Sequence, residues 1–435
     1  MRSYFALSTH AGRTTAGMLF VTAASCAAPT ASSDSTPTPT ASKPAMVSSP
    51  FEYASALAFG PDGTLFIGDS GTGRVYAWKP PESVNPAAQA GYNLKEVDAQ
   101  LAALLGTTPR HLRIRDMAVH PKTKEVYLAL GRATGESYAS ALAVVNQTGV
   151  PRLLEVGASL RSVKIPFSPA ADFKFYDEVP ARDLSITDIQ YFDGRVYVAG
   201  LSNADFASSL WVVPVPFDDE VVTTTVEIYH AVHAQKETRA PIRAMTIREL
   251  NGEPHLVAAY TCTPLVVFPL SALHEGGHIV GKTIGELGYG NTPVDLLTFT
   301  GSDAQQQPLE VLFVSHKNQA AQVIGVAAVE EAARGAGLTQ PVMLQKVDLG
   351  ASSPPMTSLL HVDEQDPYHL TAVRRDVSEG DIEIVSYLKN VYFRLSDFQS
   401  EYEIPGYTFP PEQKPTREFQ NKMKRDEGKA SFVVQ

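Results

Sequence analysis

The chain has 435 residues, 44% of them hydrophobic and 19% charged, and its 30 glycines and 31 prolines indicate a globular protein with many turns. The formal net charge of −11 argues against a broad nucleic-acid-binding face, because phosphate binding relies on clustered lysine and arginine. The two cysteines, Cys26 and Cys262, exclude a disulfide framework and the paired CxxC motifs of zinc and thiol redox sites.

The first 26 residues have the pattern of a targeting segment. Two arginines precede a short apolar run at 16–24, and the sequence AASC then ends at Cys26. This ending resembles the bacterial lipobox, with Ala23 where leucine is usual. We therefore expect export and acylation of Cys26, while ordinary secretion and an extension without a targeting role remain open. No later run approaches the ~20 apolar residues of a spanning helix, so the lipid anchor would be the sole membrane contact.

Residues 27–50 form a linker rich in serine, threonine and proline. Such a composition cannot bury enough apolar surface to fold, and it suits a tether between an anchoring cysteine and a folded body. The sequence thus predicts a periplasmic or cell-surface protein in four parts: a targeting segment at 1–26, this linker, a folded domain at 51–396 and a polar tail at 397–435.

The folded domain contains a repeated antiparallel meander. In ALAFGPDGTLFIGDSGTGRVYAW, residues 56–78, three strand-like runs are separated by two turns that contain glycine. The same pattern returns at 114–130, 186–200, 242–260, 294–316 and 357–373. Small sheets that bury both faces against their neighbours form a closed ring, which also protects the sheet edges. We therefore predict an all-β fold, a six-bladed β-propeller. Two stacked β-sandwiches are the alternative, but they would not require the recurring I-R/T-D/A start.

Two segments depart from the repeat. The first, NLKEVDAQLAALLGTTP at 93–109, is predicted to be an amphipathic helix packed over the rim of the propeller. Its apolar face comprises Leu94, Val97, Leu101, Leu104 and Leu105. The second is the tail at 397–435, a polar, proline-interrupted stretch with a basic cluster at 422–425. We expect the tail to be mobile or to wrap the outside of the domain.

Propeller geometry converts sequence position into location. The first strand of each blade lines the central channel and the second runs back, so the start of the first strand and the loop after the second share one face. The strand starts contribute Arg115, Asp116, Thr187, Asp188, Arg243 and Asp295. The strand exits contribute Asp69, Arg132, Asn203, Thr261, Cys262, His316, Lys317, Arg374 and Arg375.

From this set we predict a ligand site and a metal site. The residues expected to clamp a carboxylate or phosphate ligand are Arg115, Arg132, Arg243, His316, Lys317 and Arg374. The residues expected to hold Ca²⁺ or another divalent cation are Asp116, Asp188, Asp295 and Asn203. Two alternatives stay open: the aspartates tie neighbouring blades together by accepting backbone amides, and the arginines only neutralise the aspartates.

The other reactive side chains do not form a recognised motif. HAVH at 230–233 has the spacing of a metal-ligand pair on a helix, but it follows a strand-like run, in which the two imidazoles would face opposite sides. His316 is the histidine expected to face the channel, and Cys262 is expected to be a structural thiol rather than a nucleophile. No GxSxG motif occurs, so a serine hydrolase is unsupported.

The first repeat resembles an NHL-type repeat and the blades of the gluconolactonase-type propeller family. The resemblance rests on ALAFGPDGTLFIGDSGTGRVYAW and within it on PDGTLFIGD. It implies a six-bladed propeller and, as in the lactonases, a channel-bound divalent cation that activates water and polarises the lactone carbonyl. Asp188, Asp295 and Asn203 would correspond to ligands of that cation. Pyrroloquinoline quinone propellers use regular tryptophan docking motifs, which Trp78 and Trp211 alone cannot supply.

Two functions therefore remain. The favoured one is an extracytoplasmic, membrane-tethered protein that binds a small molecule or an envelope protein at the channel face. The alternative is a metal-dependent, lactonase-like hydrolase. Whether the chain is an enzyme stays open, because a fold does not dictate a function.

Overall fold

The computed structural model describes residues 49–81, 83–85, 91–135, 137–157, 159–170, 172–218, 220–288, 290–302, 307–343, 346–376, 379–397 and 410–427. The predicted targeting segment with Cys26, and nearly all of the linker, lie outside these residues. No helix within them is long and apolar enough to cross a membrane.

Strands dominate the described residues. In chain order they are β1 Ala54–Phe59, β2 Leu65–Asp69, β3 Arg74–Trp78, β4 Asn93–Leu94, β5 Leu112–Val119, β6 Val126–Thr134, β7 Ser137–Val145, β8 Arg152–Leu153, β9 Arg161–Lys164, β10 Lys174–Phe175, β11 Val179–Pro180, β12 Asp188–Phe192, β13 Arg195–Leu201, β14 Ser208–Pro214, β15 Val222–His230, β16 Gln235–Glu237, β17 Ile242–Leu250, β18 Glu253–Tyr260, β19 Pro264–Pro269, β20 Gly277–Val280, β21 Lys282–Glu286, β22 Pro293–Ser302, β23 Pro308–His316, β24 Gln322–Gly325, β25 Leu359–Glu364, β26 His369–Arg375 and β27 Ile382–Leu388. The α-helices are α1 Val97–Leu104, α2 Val326–Arg334 and α3 Lys414–Asp426.

The strands form six sheets, one for each predicted repeat, which we call modules 1 to 6 in chain order. Each module begins with an inner strand and meanders outward through antiparallel neighbours. The strand orders are β1-β2-β3-β9, β5-β6-β7-β8, β12-β13-β14-β15-β16, β17-β18-β19-β21, β22-β23-β24 and β25-β26-β27-β4. In addition, β20 pairs in parallel with β15, and β10 and β11 form a separate two-stranded ribbon. The prediction of a six-bladed β-propeller is confirmed.

The modules form a closed ring, but not in chain order. Their inner strands contact one another in the order β25, β5, β1, β12, β17, β22 and again β25. Module 2 therefore lies between modules 6 and 1, and module 1 lies between modules 2 and 3. Apolar clusters fill the six junctions. The cluster between modules 1 and 2, for example, joins Leu57, Ile67 and Trp78 to Tyr127 and Leu142. This arrangement excludes two stacked β-sandwiches.

Two short strands, β4 and β9, connect modules that are not consecutive in the chain. After β3 the chain crosses to module 6, where β4 pairs with β27 as the outermost strand. The chain then builds module 2, and β9 returns to pair with β3 at the outer edge of module 1. Each short strand pairs the backbone groups of a sheet edge, so segments distant in sequence hold the ring closed.

The inserted helix is shorter than predicted. It spans Val97–Leu104, whereas Leu94 belongs to β4. Val97 and Leu101 are buried against modules 6 and 2, as expected for a helix on the rim, but Leu104 is 37% exposed. The helical spacing of apolar side chains in the sequence extends back to Leu94. The backbone of Leu94 nevertheless pairs with β27, so Leu94 is not part of the helix.

The described part of the tail packs on the domain. Helix α3 buries Met423, and Glu427 just after it accepts the backbone amides of Leu395 and Ser396, both at 2.8 Å. These contacts hold residues 410–427 on the domain, in a helix that the sequence did not predict. Helix α2 follows β24 directly, without having been predicted, and packs on the cluster between modules 4 and 5.

Candidate ligand and metal site in the central channel

Alignment of the repeats identifies one equivalent position on each inner strand. Taken around the ring, the residues at this position are Asp116, Ala56, Asp188, Ala244, Asp295 and His361. Aspartate thus alternates with alanine or histidine. In four modules a β-bulge immediately precedes the position, and a bulge re-aims the side chain that follows it. We call the four polar members, Asp116, Asp188, Asp295 and His361, the waist.

Each aspartate of the waist ties its module to a neighbouring module. In each bond a backbone amide donates to a carboxylate: Leu57 to Asp116 at 2.6 Å, Met245 to Asp188 at 2.6 Å, and Val362 to Asp295 at 2.8 Å. Asp116 and Asp188 also accept the amide of the residue that follows them. The three carboxylates therefore join modules 2 and 1, 3 and 4, and 5 and 6. The tying role that the sequence left open is present at all three positions.

Burial and neighbouring charge give the waist a high proton affinity. Burial raises the pKa of Asp116 to about 7, with His361 opposing the shift and Asp295 adding to it. Burial likewise raises the pKa of Asp188 well above its ordinary value, and the charge of Asp116 adds to this. His361 Nδ1 lies 3.5 Å from Asp116 Oδ1 and 3.8 Å from Asp295 Oδ2. Burial would lower the pKa of His361, but the two carboxylates raise it. The waist therefore holds protons near neutral pH.

Two cavities meet at the waist, and its aspartates line both. A cavity of about 440 Å³, the acidic mouth, also carries Lys124, Asp363, Glu364 and Asp366. A cavity of about 370 Å³, the basic mouth, carries Tyr53, Arg115, Asp183, Arg243, Lys317 and His361. The basic mouth lies on the face for which the sequence predicted a ligand site.

Arg115 lies against the wall of the basic mouth. Its guanidinium is 3.6 Å from the centroid of the Tyr53 ring, and Nη1 donates to Ser140 Oγ at 3.2 Å. Its Nη2 is buried and has no hydrogen-bond partner among the described residues. A Cβ at Gly131 of β6 would lie only 2.4 Å from this nitrogen. The absence of a side chain at position 131 therefore makes room for the guanidinium.

Arg243 brings a second desolvated cation to the same cavity. Burial lowers the pKa of Arg243, while Asp188 and Asp183 oppose the shift. Its Nε is buried and is also without a partner among the described residues. Lys317 is exposed and lines the same cavity. Burial raises the pKa of Tyr53 to about 12 against the opposing charge of Arg115, so its hydroxyl stays protonated. The mouth therefore presents several hydrogen-bond donors.

Two of the predicted cations lie outside both cavities. Arg132 remains in the β6 ladder and donates to the backbone oxygen of Leu105 at 2.7 Å. Arg374 forms ion pairs with Glu383 at 2.5 Å and Asp397 at 2.6 Å. Both strands continue further than their sequence patterns indicated, so these residues pair within their modules instead of standing on a loop at the channel.

Two other predicted residues also lie away from the cavities. His316 is buried and hydrogen-bonded to Asn291 and Gln322, and burial lowers its pKa to about 4. Asn203 is exposed on the loop after β13. The channel histidine is His361 instead, which sequence reasoning missed. Alignment of LLHVDE with the other repeats would have placed His361 at the aspartate position.

The expected orientation of the HAVH imidazoles is wrong. His230 ends β15, and His233 lies in the turn that follows, so the strand alternation does not extend to it. The two ring centroids are 3.8 Å apart.

The type and spacing of the donor atoms in the waist indicate which metal ion it could bind. One atom each from Asp116, Asp295 and His361 lies within 4.8 Å of the others. A carboxylate oxygen that accepts one amide keeps a second lone pair, so the module ties do not block a metal. Two carboxylates and an imidazole suit Zn²⁺ or Mn²⁺ better than Ca²⁺, which takes about six to eight oxygen ligands. The predicted ligands Asp188 and Asn203 are not part of this group, and His361, which was not predicted, is.

The solved structures found to be similar to this chain are distant from it in sequence and in structure. No protein family and no curated protein matches the chain. Similar solved structures include the extracellular domain of a putative hybrid two-component system from B. thetaiotaomicron, with 10% identity and a TM-score of 0.29, covering 77% of this chain and 32% of that one. Hydrazine synthase from Kuenenia stuttgartiensis has 10% identity and a TM-score of 0.34, covering 79% and 98%. Drosophila plexin A in complex with semaphorin 1b has 10% identity and a TM-score of 0.32, covering 78% and 87%.

These likenesses carry no functional argument at such identities and TM-scores. The propeller architecture rests on the six sheets and their ring of inner strands. Membership of the NHL or gluconolactonase families, which the first repeat resembles, stays a prediction.

Proposed function

We propose that the protein is an extracytoplasmic binding protein whose basic mouth holds a small molecule with a carboxylate or phosphate group. The observation that carries this proposal is that Arg115 and Arg243 both line the basic mouth, each with a buried N–H group that has no hydrogen-bond partner among the described residues. A buried donor without a partner costs about 1 to 3 kcal/mol. An anionic ligand would supply acceptors for both guanidinium groups and form charge-assisted hydrogen bonds with them.

The size and charge of the cavity restrict the ligand further. A volume of about 370 Å³ is at the small end of the ~300 to 1,000 Å³ that is typical of ligand sites. The floor of the cavity is acidic, because the waist aspartates line it. We therefore infer a ligand with its anionic group at the arginines and with hydroxyl or other neutral donors towards the waist. Lys317, exposed at the same mouth, attracts the anion from solution.

The test is calorimetric titration with a panel of small carboxylates, hydroxy acids, sugar phosphates and inorganic phosphate. Arg115→Met and Arg243→Met should each weaken binding at least tenfold, or about 1.4 kcal/mol. Arg113→Met is the matched control, because Arg113 is on the same strand as Arg115 but is exposed, and its side chain donates to the backbone oxygens of Arg110 and Leu112. A wild-type protein that binds no anion, or variants that bind as well as the control, would contradict the proposal.

A second candidate, a metal-dependent hydrolase, is favoured by the grouping of Asp116, Asp295 and His361. A divalent ion held there would activate a water molecule for attack on a lactone or ester. Metal analysis of the purified protein distinguishes this candidate. Stoichiometric metal that is lost in the double variant Asp116→Ala, Asp295→Ala would support it, and a metal content unaffected by the double variant would remove the waist as a metal site.

The cellular location is part of the proposal and rests on the N-terminal sequence. Acylation of Cys26 would leave the propeller tethered outside the cytoplasm, where a small molecule or an envelope protein can reach the channel. Mass spectrometry of the mature N-terminus tests this. Diacylated or triacylated Cys26 is expected, and an exported protein that retains Met1 would contradict the lipid anchor.

A further inference from the structure

Two histidines and a cysteine meet at the junction of modules 3 and 4, apart from the central channel. His230 ends the outer strand β15 of module 3, and His233 lies in the following turn. Cys262 lies in the hairpin between β18 and β19 of module 4. One donor atom from each of the three residues lies within 4.8 Å of the others. The sequence singled out these residues separately, and the fold brings them together.

The burial of the three side chains differs in a way that suits a metal ligand set. His230 is 1% exposed, Cys262 is half-buried, and His233 is 42% exposed. A ligand set with one deeply buried member and one exposed member leaves a coordination position open to solvent. Two imidazoles and a thiolate are the soft and borderline donors that Zn²⁺ prefers.

Glu237 orients both imidazole rings. Its Oε1 lies 2.7 Å from His230 Nδ1 and 3.4 Å from His233 Nδ1. A carboxylate that accepts Nδ1–H leaves Nε2 of the same ring to a metal, which is the usual outer-shell arrangement around zinc histidines. In His230 this Nε2 lies 3.1 Å from Thr263 Oγ1, a contact that the metal would replace.

The turn that carries His233 is fixed independently of any metal. Glu286, fully buried on β21 of module 4, accepts the amides of Ala231 at 2.8 Å and Val232 at 3.3 Å. Cys262 is fixed through its own amide, which donates to the backbone oxygen of Asn291 at 2.9 Å. Glu286 of module 4 thus positions the histidine turn of module 3, and the bond to Asn291 positions Cys262 from the other side of the junction.

We propose that His230, His233 and Cys262 bind one Zn²⁺ ion, which links module 3 to module 4 and keeps a fourth position open to water. The thiol loses its proton to the solvent when the metal binds, and both imidazoles bind in their neutral form, so affinity falls as the pH is lowered. This site is separate from the basic mouth and does not depend on the function proposed there.

Co²⁺ substitution tests the site with a spectroscopic signature. The full-length protein should bind one equivalent of Co²⁺ in this site and show the near-ultraviolet charge-transfer band of a thiolate–cobalt bond. Cys262→Ser should abolish the band, and His233→Ala should weaken Zn²⁺ binding in a chelator competition. Glu237→Gln should weaken Zn²⁺ binding by roughly 10- to 100-fold, as removal of an outer-shell partner does.

Matched controls separate this site from the other candidates. Cys26→Ser removes the other cysteine of the chain and should leave the band intact. His255→Ala removes an imidazole from module 4 that is hydrogen-bonded to the backbone oxygen of Glu253, and it should bind Zn²⁺ like the wild type. The double variant Asp116→Asn, Asp295→Asn should also keep the thiolate band.

Circular dichroism of every variant establishes that it folds. A wild-type protein that binds Zn²⁺ no more tightly than Cys262→Ser would overturn the proposal, as would a Co²⁺ complex without a thiolate band.

Discussion

The carboxylates of the waist accept backbone amides that join neighbouring modules, but they lie where a negative charge is destabilised by burial. Asp116 accepts two backbone amides, one of them from the neighbouring module, yet it lies near Asp188, Asp295 and His361 in a desolvated channel. The amides favour the ionised form, whereas burial and like charge favour the protonated form. Burial prevails at Asp116, so the folded protein holds a proton that the unfolded chain releases near pH 4.

This proton gives a pH-dependent stability. The pKa of Asp116 is raised to about 7 from 3.8, so its contribution to the free energy of unfolding is largest at low pH and is lost as the pH rises towards 7. The stability advantage of the wild type over Asp116→Asn should therefore be greater at pH 5 than at pH 8, as measured by urea denaturation. Asp62→Asn is the control, because the pKa of exposed Asp62 is lowered and its titration ends below this range. An advantage that grows from pH 5 to pH 8 would contradict the raised pKa.

A substitution at Gly131 tests the basic mouth without replacing Arg115 itself. The three atoms nearest to a Cβ at position 131 all belong to the guanidinium end of Arg115, so Gly131→Ala should fold and displace the guanidinium. We expect anion binding to fall about tenfold, as for loss of a charge-assisted hydrogen bond. Gly157→Ala is the control, because a Cβ there meets nothing within 4 Å. Calorimetry that finds equal affinity in both variants would show that the position of Arg115 does not matter.

Among the secondary-structure elements, the short strands β4 and β9 are the outermost strands of sheets whose other strands come from distant parts of the chain. The sequence predicted the six meanders, because alternation and glycine turns are local signals. It did not predict the pairing of β4 with β27, because two residues carry no recognisable strand pattern and their partner is far away in the chain. Leu94 was placed on a helix for the same reason. Local periodicity therefore identifies a module better than it identifies the strand that completes it.

A zero-length crosslink tests the pairing of β4 with β27 of module 6. Lys95, directly after β4, lies 3.0 Å from Asp376 of module 6, so a carbodiimide should join their peptides. The pair Lys79 and Asp62, at 3.3 Å within module 1, serves as a positive control of similar chemistry. Mass spectrometry should detect both crosslinks. Detection of the control alone would contradict the placement of β4 in module 6.

At the scale of the whole molecule, the ring determines which polar residues become neighbours. Arg115 belongs to module 2 and Arg243 to module 4, and they share a cavity because the inner strands converge on one channel. Sequence position predicted this convergence for Arg115, Arg243, Lys317 and the three waist aspartates. It failed for Arg132, His316, Arg374 and Asn203, because the ends of strands and their pairing partners are set by contacts within each sheet. The order of the modules was not predictable, since each repeat has the same local pattern wherever it lies in the ring.

The central claim is that Arg115 and Arg243 hold one anionic ligand between them. A double-mutant cycle measures this directly, by calorimetric titration of the wild type, Arg115→Met, Arg243→Met and the double variant with the tightest ligand of the panel. Two residues that bind the same anion should be coupled by at least about 0.5 kcal/mol, so the double variant loses an amount that differs from the sum of the single losses. Strictly additive losses, or no loss in either single variant, would contradict the shared site.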